Sequence, residues 1–477
     1  MVGGEVAVEG RWADRPAPRI LICVARSDSP PANADRSIRL GAVLLPVAAV
    51  VLGAAAPSRR LPRLAVRGLA GAIAVLGPLI AVLGAHRHEP PRTAPPVEDV
   101  RPLSITILVP ARNEAPVIGA LLSDLGRLRG RPPEVVVIDD ASDDGTGDVA
   151  SAAIAAAGVH GRVVRRSRSG DGKGRALAHV AIEPDEDRII VILDADARVD
   201  PGFAEACAAA AAGGVAATAR RRMVQPVGGS RAADILARLQ DDEQSLDDVV
   251  QRARLAFGGA AEFRGNGMVV RADVLASLGG WPVDAVCEDL ELSSRLYQVT
   301  GRGVPRPPGL TVWEQPVIGL RALFRQRLRW AEGSIRRDLR IVYPAALRGA
   351  VVDGGSLEPL AYAGQSLVPW VIVGLAWRCR GSRRAAARRG LAALLGAYAI
   401  AATSIGWAAI GASPDESLSQ RAGRTAGSTA FALLWLAILP LAWLRIVRRP
   451  GTTEFAKTIH APAARFSEPE PAPPEPT

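Results

Sequence analysis

The sequence predicts an α/β domain that is flanked by transmembrane α-helices. Two observations carry this prediction. Uncharged apolar stretches lie near both ends of the 477-residue chain, and short β-branched runs alternate with helical patterns between them. Hydrophobic residues make up 48% of the chain but aromatic residues only 4%, so the apolar mass consists of Ala, Leu, Val and Ile, as in membrane helices.

The net charge and the cysteines exclude several classes of protein. Lys and Arg number 58 against 48 acidic residues, which gives a net charge of +10. Most basic residues are Arg beside apolar segments, which favours contact with anionic lipid and control of membrane topology. We expect no nucleic-acid partner, because the sequence has no basic stripe interleaved with aromatic residues. The cysteines form no CxxC pair, so neither a zinc ribbon nor a disulfide framework is indicated.

The N-terminal part predicts a disordered segment followed by a membrane hairpin. Residues 1–36 are polar without a clear period, and we expect them to be disordered. Within residues 37–86, the uncharged stretches Leu40–Ala56 and Gly68–Ala85 approach the roughly 20 residues that span a bilayer. We therefore expect two transmembrane helices, followed by a Pro-rich linker at His88–Val97.

Residues 101–318 predict the α/β domain. Short, buried, β-branched runs alternate with helical patterns, which indicates a parallel sheet whose ligands bind at the carboxyl ends of the strands. The predicted strands are Ser104–Val109, Val135–Ile138 and Ile189–Leu193, and the predicted helices are Val117–Leu128, Thr146–Ala157 and Arg175–Ile182.

The C-terminal part predicts interface helices (residues 319–355), membrane helices (356–447) and a disordered cytoplasmic tail (448–477). The positive-inside rule places the Arg-rich loop Arg378–Arg389 in the cytoplasm. Pro359–Trp377 is then re-entrant or interfacial; alternatively it spans, and one basic loop breaks the rule. The number of passes is therefore four or five. The predicted apolar stretches are Pro359–Trp377, Gly390–Pro414 and Ala426–Leu444.

Polar residues follow the first two predicted strands. Pro110, Asn113 and Glu114 form a turn after the first strand, which is typical either of a ligand site or of a capped strand-to-helix turn. Asp139 and Asp140 end the second strand, where they can accept hydrogen bonds from a nucleobase or ribose. Helix capping by the residues that follow is compatible with this role, because it uses different side chains.

The segment from Gly170 to Arg175 resembles a phosphate loop only superficially. It is not a Walker motif, because Gly174 follows Lys173 where a Ser or Thr is required. Lys173 is nevertheless long enough to reach a diphosphate; the alternative is a flexible surface turn.

Asp194 and Asp196 end the third predicted strand. Residues i and i+2 of an extended segment face the same side, so the two carboxylates converge. They repel each other unless a cation neutralises them, and oxygen ligands favour Mg²⁺ or Mn²⁺. A structural calcium site is the alternative, but it requires more ligands than the local sequence offers.

Two further patterns lie near the end of the domain. Glu288 and Asp289 begin a predicted helix, where one carboxylate can act as a general base, although acids are also common there because of the helix dipole. Gln326, Arg329 and Trp330 share one face of a basic helix. Arg329 suits a phosphate and Trp330 a sugar ring, while an interfacial amphipathic helix accounts for the same pattern.

These motifs, in this order and between membrane helices, resemble the family 2 glycosyltransferases over roughly residues 101–340. The likeness extends to cellulose, hyaluronan and poly-N-acetylglucosamine synthases and to bacterial glycolipid synthases. It implies a GT-A fold, an inverting reaction, a UDP- or GDP-sugar donor and a Mg²⁺ or Mn²⁺ ion. It also implies a multi-pass protein of the cell membrane with a cytoplasmic catalytic domain and a lipid or glycan acceptor.

The resemblance also implies roles for individual residues. Asp194 and Asp196 would hold the metal, and Asp289, supported by Glu288, would be the general base. The loop Gly265–Asn266–Gly267 would lie on the acceptor side, and the segment Thr453–His460 resembles a cytoplasmic tail segment of some relatives. The donor would be bound by Pro110, Asn113, Glu114, Asp139, Asp140, Lys173, Asp194, Gln326, Arg329 and Trp330.

Three activities remain open on the sequence. A processive polysaccharide synthase is indicated by the QxxRW motif at Gln326–Trp330. A transferase that adds one sugar to a lipid is indicated by the modest number of membrane helices and by Gly265–Asn266–Gly267. An inactive membrane scaffold is disfavoured because the acidic residues are all present.

Overall fold

The computed structural model describes residues 32–86, 103–168, 172–344, 358–410, 416–449, 460–462 and 466–467. The predicted N-terminal segment, the linker and most of the predicted C-terminal tail lie outside these residues. The strands are β1 (Ser104–Ala111), β2 (Glu134–Asp139), β3 (Gly161–Arg165), β4 (Arg188–Ile192), β5 (Ala216–Thr218), β6 (Arg220–Met223), β7 (Met268–Arg271) and β8 (Thr311–Glu314).

The helices lie on either side of these strands and beyond them. A π-helical turn, Asp338–Val342, directly follows the tenth helix. The helices are α1 (Ala32–Ala55), α2 (Arg60–His86), α3 (Ile118–Leu125), α4 (Thr146–Ala157), α5 (Lys173–Leu177), α6 (Phe203–Ala212), α7 (Arg231–Ala256), α8 (Ala272–Ser277), α9 (Glu288–Thr300), α10 (Leu320–Arg337), α11 (Glu358–Arg378), α12 (Arg384–Ala409), α13 (Leu418–Ala432) and α14 (Trp435–Arg448).

A six-stranded mixed sheet in the order β3–β2–β1–β4–β7–β5 forms the centre of the α/β domain. Strands β1 to β4 are parallel, whereas β7 is antiparallel to β4 and β5. Ile107, Val136 and Val191 are fully buried, because helices cover both faces of the sheet. Helices α3, α4 and α6 pack on one face, and α5, α8 and α9 pack on the other. The predicted α/β fold is confirmed.

The predicted bounds of strands and helices agree best with the structure where consecutive residues are buried. Strands β1, β2 and β4 coincide with the predicted strands to within a few residues, and α4 matches its predicted bounds. The prediction of a helix over Arg175–Ile182 is wrong in its bounds, because the helix begins at Lys173 and ends at Leu177. The chain then forms turns before Pro184, a residue that restricts its predecessor to extended conformations.

The long apolar helices associate in two parallel pairs, α1 with α11 and α2 with α12. A Cβ on Gly53 would lie 2.2 Å from the carbonyl oxygen of Val371, and a Cβ on Gly77 would lie 2.4 Å from Cα of Ala401. Only Gly permits such a close approach, which is how helices pack tightly in a membrane. The helices therefore form a layer against the α/β domain rather than separate arms.

The α/β domain contacts one end of this helical layer. Gly41 of α1 faces Leu339, and Gly84 of α2 faces Val249 of α7. The far end carries both basic turns, where Arg378 donates a hydrogen bond to Oγ of Ser58 at 3.3 Å. Helix α11 is one continuous helix that runs beside α1, and the choice between a spanning and a re-entrant or interfacial Pro359–Trp377 stays a prediction.

The last apolar stretch also differs from the prediction of one helix at Ala426–Leu444, because two helices, α13 and α14, share it. Trp435 Nε1 donates to Glu243 at 2.9 Å, and Arg445 pairs with Glu332 of α10 at 3.2 Å. Both ends of α14 are thus tied to the α/β side. By length and composition, three stretches among the described residues are able to cross a membrane: Arg60–Ala85, Arg384–Ala409 and Leu418–Arg448.

Candidate active site

The carboxyl ends of β1, β2 and β4 meet at one edge of the sheet, as expected for neighbouring parallel strands. A cavity of about 1640 Å³ opens at this edge and continues between the long apolar helices. Most of the predicted site residues line it: Pro110, Glu114, Asp140, Lys173, Asp194, Asp196, Gly265, Glu288, Asp289, Gln326, Arg329 and Trp330.

Asn113 and Asp139 have a different position from the other predicted donor residues. Asn113 adopts a φ of 55°, and its side-chain oxygen accepts the backbone N–H of Asp143 at 3.0 Å. Asp139 accepts the backbone N–H of Ser142 at 3.0 Å. Asn113 therefore connects the loops after β1 and β2, and Asp139 stabilises the loop after β2, whereas Asp140, paired with Arg166, lies in the cavity wall.

Lys173 lies at the centre of the acidic cluster. Its Nζ lies 2.5 Å from Oδ1 of Asp194 and 3.8 Å from Oε1 of Glu288. It also donates to the carbonyl oxygen of Gly265 at 2.6 Å. Burial lowers the pKa of Lys173, but the neighbouring Asp194 and Glu288 carboxylates outweigh burial and raise it above its usual value. The ammonium therefore stays charged and joins β4 to the start of α9.

The loop Gly265–Asn266–Gly267 is hydrogen-bonded to the chain where β4 ends. Asn266 is fully buried; its side-chain oxygen accepts the backbone N–H of Asp194 at 3.0 Å, and its amide donates to Glu314 at 3.0 Å. Glu314 in turn accepts two hydrogen bonds from Arg221, each 2.5 Å long. Asn266 thus fixes the backbone at Asp194, and sequence reasoning did not identify Glu314 or Arg221.

Asp196 is buried beside groups that are distant in sequence. Its Oδ2 accepts the backbone N–H of Gln315 at 3.2 Å and lies 3.6 Å from Nε2 of His460. The other ring nitrogen of His460 lies 2.9 Å from Oε2 of Glu114. Burial raises the pKa of Asp196 to about 6, His460 opposes this shift, and the neighbouring carboxylates of Glu314, Asp194 and Glu114 add to it.

His460 is the main site residue that sequence reasoning missed. The segment Thr453–His460 was identified only as a tail, and residues 451–459 lie outside the described part of the chain. Downstream, Phe466 packs against Val224 and Trp313, and Ser467 donates its N–H to the carbonyl oxygen of Gln225 at 2.8 Å. These contacts hold the end of the segment against the α/β domain.

The oxygen atoms around Asp196 suit a hard divalent cation. The side-chain oxygen of Gln315 is buried without a hydrogen-bond partner among the described residues, and a cation or its bound water would satisfy it. Asp194 and Asp196, the carboxylates predicted from the sequence to bind a metal ion, both line this part of the cavity. In the described part of the chain, no three His, Cys, Asp or Glu side chains are arranged as a complete ligand set, so a bound diphosphate would have to complete the coordination.

Glu288 and Asp289 occupy the first turn of α9 at the opposite wall. Burial raises the pKa of Glu288 to about 7, Lys173 lowers it, and repulsion from Asp289 raises it further. Burial also raises the pKa of Asp289. Carboxyl groups whose pKa values are raised in this way are suited to accepting a proton from a substrate hydroxyl.

Helix α10 closes the cavity with the QxxRW residues. Arg327 lies over the ring of Trp330, 4.3 Å from its centroid, and donates to both Gln326 and Glu243. The buried Nε–H of Arg329 lacks a hydrogen-bond partner within the described ranges. A phosphate oxygen is the acceptor that such a guanidinium prefers. Arg327 and Glu243, which orient this helix, were not predicted from the sequence.

Comparisons with known proteins agree with this geometry. The family model described as glycosyl transferase family group 2 matches residues 189–447. The beta-monoglucosyldiacylglycerol synthase of Synechocystis sp. is 28% identical over 373 residues, covering 75% of each chain. The poly-beta-1,6-N-acetyl-D-glucosamine synthase of Staphylococcus aureus is 25% identical over 243 residues, covering 48% of this chain and 54% of that one.

The fold is shared with a solved glycosyltransferase. The mannosyltransferase PcManGT from Pyrobaculum calidifontis, in complex with GDP-Man and Mn²⁺, superposes with a TM-score of 0.51 at 21% identity. The superposition covers 81% of this chain and 99% of that one. The central domain is accordingly a GT-A domain, and transmembrane helices flank it. The chain belongs to the glycosyl transferase family group 2.

Proposed function

We propose that the chain is an inverting hexosyltransferase that moves a sugar from a UDP- or GDP-sugar to a hydroxyl of a membrane-associated acceptor, in polysaccharide or glycolipid synthesis. The observation that carries this proposal is the meeting of the Asp289 carboxylate with Lys173 and the Asp194–Asp196 pair in one cavity. One acid of raised pKa opposite a diphosphate site is the arrangement that a single displacement needs.

The donor would lie along the carboxyl edge of the sheet. Asp140 and Glu114 would contact the nucleoside and Lys173 and Arg329 the diphosphate, and all four side chains line the cavity. Mg²⁺ or Mn²⁺, bound by Asp194 and Asp196 next to His460, would neutralise charge on the diphosphate. Lys173, which is paired with Asp194 and near Glu288, can turn toward the diphosphate without leaving the acidic cluster.

The transfer itself uses one base. Asp289 takes the proton from the acceptor hydroxyl while that oxygen attacks the anomeric carbon from the face opposite the diphosphate. The bond between the anomeric carbon and the diphosphate oxygen breaks, and the nucleoside diphosphate leaves with the electron pair. Arg329, whose buried Nε–H has no partner within the described ranges, is suited to stabilise that charge. Because the attack is direct, the anomeric configuration inverts.

The apolar helices bear on where in the cell this reaction is proposed to take place. Three stretches of the described residues are apolar and long enough to span a bilayer. UDP- and GDP-sugars are cytoplasmic metabolites, so the GT-A domain is proposed to face the cytoplasm from a multi-pass position in the cell membrane. A glycolipid product is supported by the similarity to the Synechocystis synthase, and a polysaccharide by the similarity to the Staphylococcus aureus synthase.

The test uses purified protein in lipid nanodiscs with Mn²⁺. We would offer UDP-glucose, UDP-N-acetylglucosamine, UDP-galactose and GDP-mannose, and measure release of nucleoside diphosphate and the mass of any product. We expect turnover with at least one donor and its loss in Asp289→Asn. The matched control is Asp273→Asn, since Asp273 pairs with Arg271 at the opposite edge of the sheet. Equal turnover in Asp289→Asn would overturn the assignment of the base.

A further inference from the structure

The active-site cavity does not end at the GT-A domain. It continues as a groove between the two helix pairs, α1 with α11 and α2 with α12. Close packing through Gly53 and Gly77 holds each pair together, so the space lies between the pairs and not within them. Representative lining residues are Leu52, Ile73, Leu76, Val371, Ala402 and Ile405.

The chemistry of the groove wall excludes a sugar polymer. Glycan hydroxyls need hydrogen-bond partners, and burying each one without a partner costs roughly 2 kcal/mol or more. The wall consists mainly of Leu, Ala, Ile and Val side chains, to which Tyr398 adds a hydroxyl and Gln365 an amide. Two of its other polar groups already have protein partners: Ser366 bonds to Tyr343, and Ser428 donates to Asp242. Acyl chains need no such partners.

The lower end of the groove selects the head group. There the apolar wall, including Ile335 and Leu439, meets Asp289, Glu288 and Glu262. Of the nearby cations, Arg264 pairs with both Asp247 and Glu262, and Arg329 is assigned above to the diphosphate of the donor. An anionic head group would face net acidic surroundings, whereas a neutral hydroxyl would lie beside the proposed base.

We propose that this groove binds the two acyl chains of a neutral diacyl lipid and presents its free hydroxyl to Asp289. The inference rests on the proposed glycosyl transfer and adds the class of acceptor. It makes the enzyme a transferase that glycosylates a diacylglycerol-like lipid, because the described residues of the groove offer a growing glycan few hydrogen-bond partners.

The direct test is photolabelling of the wild-type protein in nanodiscs with a diacylglycerol that carries a diazirine on one acyl chain. We expect labelled peptides from α1, α2, α11 or α12. Dioleoylglycerol should compete, whereas undecaprenyl phosphate and cello-oligosaccharides should not. Absence of groove labelling, or competition by either of those two probes, would overturn the proposal.

Groove-filling variants add a second readout. Ala48 and Ala72 line the groove, whereas Val47 and Val75 are exposed outside it. Ala48→Phe with Ala72→Phe should abolish labelling and raise the KM for dioleoylglycerol at least about tenfold. Val47→Phe with Val75→Phe should change neither. Unaltered labelling and KM in the groove-filling variant would contradict the proposal.

The two proposals fail in different ways. If the groove labels as expected but the wild-type protein neither hydrolyses nor transfers any donor, the glycosyl transfer is wrong and the lipid site stands. If the donor is turned over but the groove does not label, the lipid site is wrong and the glycosyl transfer stands.

Discussion

Burial and repulsion act together on the carboxyl pair at the start of α9. Glu288 and Asp289 are adjacent, and Lys173 is the cation nearest to both. Lys173 is shared with Asp194, so its charge only partly offsets the pair. Burial therefore holds the pKa of the proposed base, Asp289, above the value that it would have on an exposed helix end.

This raised pKa predicts the pH dependence of the reaction. A general base works only when deprotonated, so kcat/KM should rise with pH through the pKa of Asp289, which burial raises above its usual value, and then level off. Glu288→Gln removes one of the two repelling charges and should move the acidic limb to lower pH. A pH–rate profile of both proteins measures this. An acidic limb that stays in place would show that Glu288 does not influence the base.

His460 supplies a second prediction at this scale. Its Nε2 lies 3.6 Å from Asp196, close enough to shift onto a cation bound there. His460→Ala should weaken Mn²⁺ binding by about tenfold or more, as loss of a ligand or a residue that orients one does. Electron paramagnetic resonance of free Mn²⁺ measures this without turnover. The control is His160→Ala, on an exposed loop before β3; equal affinities in the two variants would contradict the role.

At the scale of elements, one acid, Glu243 of α7, joins α10 to α14. Glu243 of α7 accepts from Arg327 of α10 and from Trp435 of α14, and Arg327 lies over Trp330. The Arg327 and Glu243 side chains are only 3% and 17% exposed. This network places the QxxRW face over the donor cavity and couples the apolar helices to the GT-A domain.

Breaking that network should destabilise the protein. Glu243→Gln leaves the buried Arg327 uncompensated, and loss of one partner of such a pair costs about 3 kcal/mol. The midpoint of thermal unfolding in detergent should fall clearly. The control is Glu205→Gln, whose pair with Arg129 is exposed (54% and 66%) and contributes less than about 1 kcal/mol. Similar midpoints for both variants would argue against the network.

Sequence patterns predicted the strands and turns that form because of residues close together in the chain. Strands β1, β2 and β4 are continuous apolar runs because both of their faces are buried, and the paired acids after β4 follow from strand geometry. The patterns could not place His460, Glu243 or Arg221. Each acts through partners far away along the chain, and no local period records such contacts.

At the scale of the whole molecule, the directions of the helices determine which turns lie at the same end of the helical layer. The turns after α1 and after α11 share one end, where Arg378 bonds to Ser58, and the GT-A domain lies at the other. With that domain in the cytoplasm, both basic turns face outward, which is the opposite of the positive-inside rule. Packing through Gly53 and Gly374 favours this arrangement over charge bias alone.

Cys379 makes the topology testable. It is a free, half-buried thiol in the turn after α11. In a Cys23→Ser background, a membrane-impermeant maleimide should label intact spheroplasts at Cys379, and Cys379→Ser should abolish the label. Labelling only after permeabilisation would place the basic turn in the cytoplasm and contradict the parallel arrangement of α1 and α11.

The central claim is direct transfer with inversion by Asp289 to an acceptor at the membrane. The most direct measurement is the anomeric configuration of the lipid product, read from proton coupling constants, after reaction with an α-linked nucleotide-sugar donor. The account predicts a β-linked product from the wild-type protein and none from Asp289→Asn, with Asp273→Asn unaffected. An α-linked product, or a β-linked product formed equally well by Asp289→Asn, would contradict it.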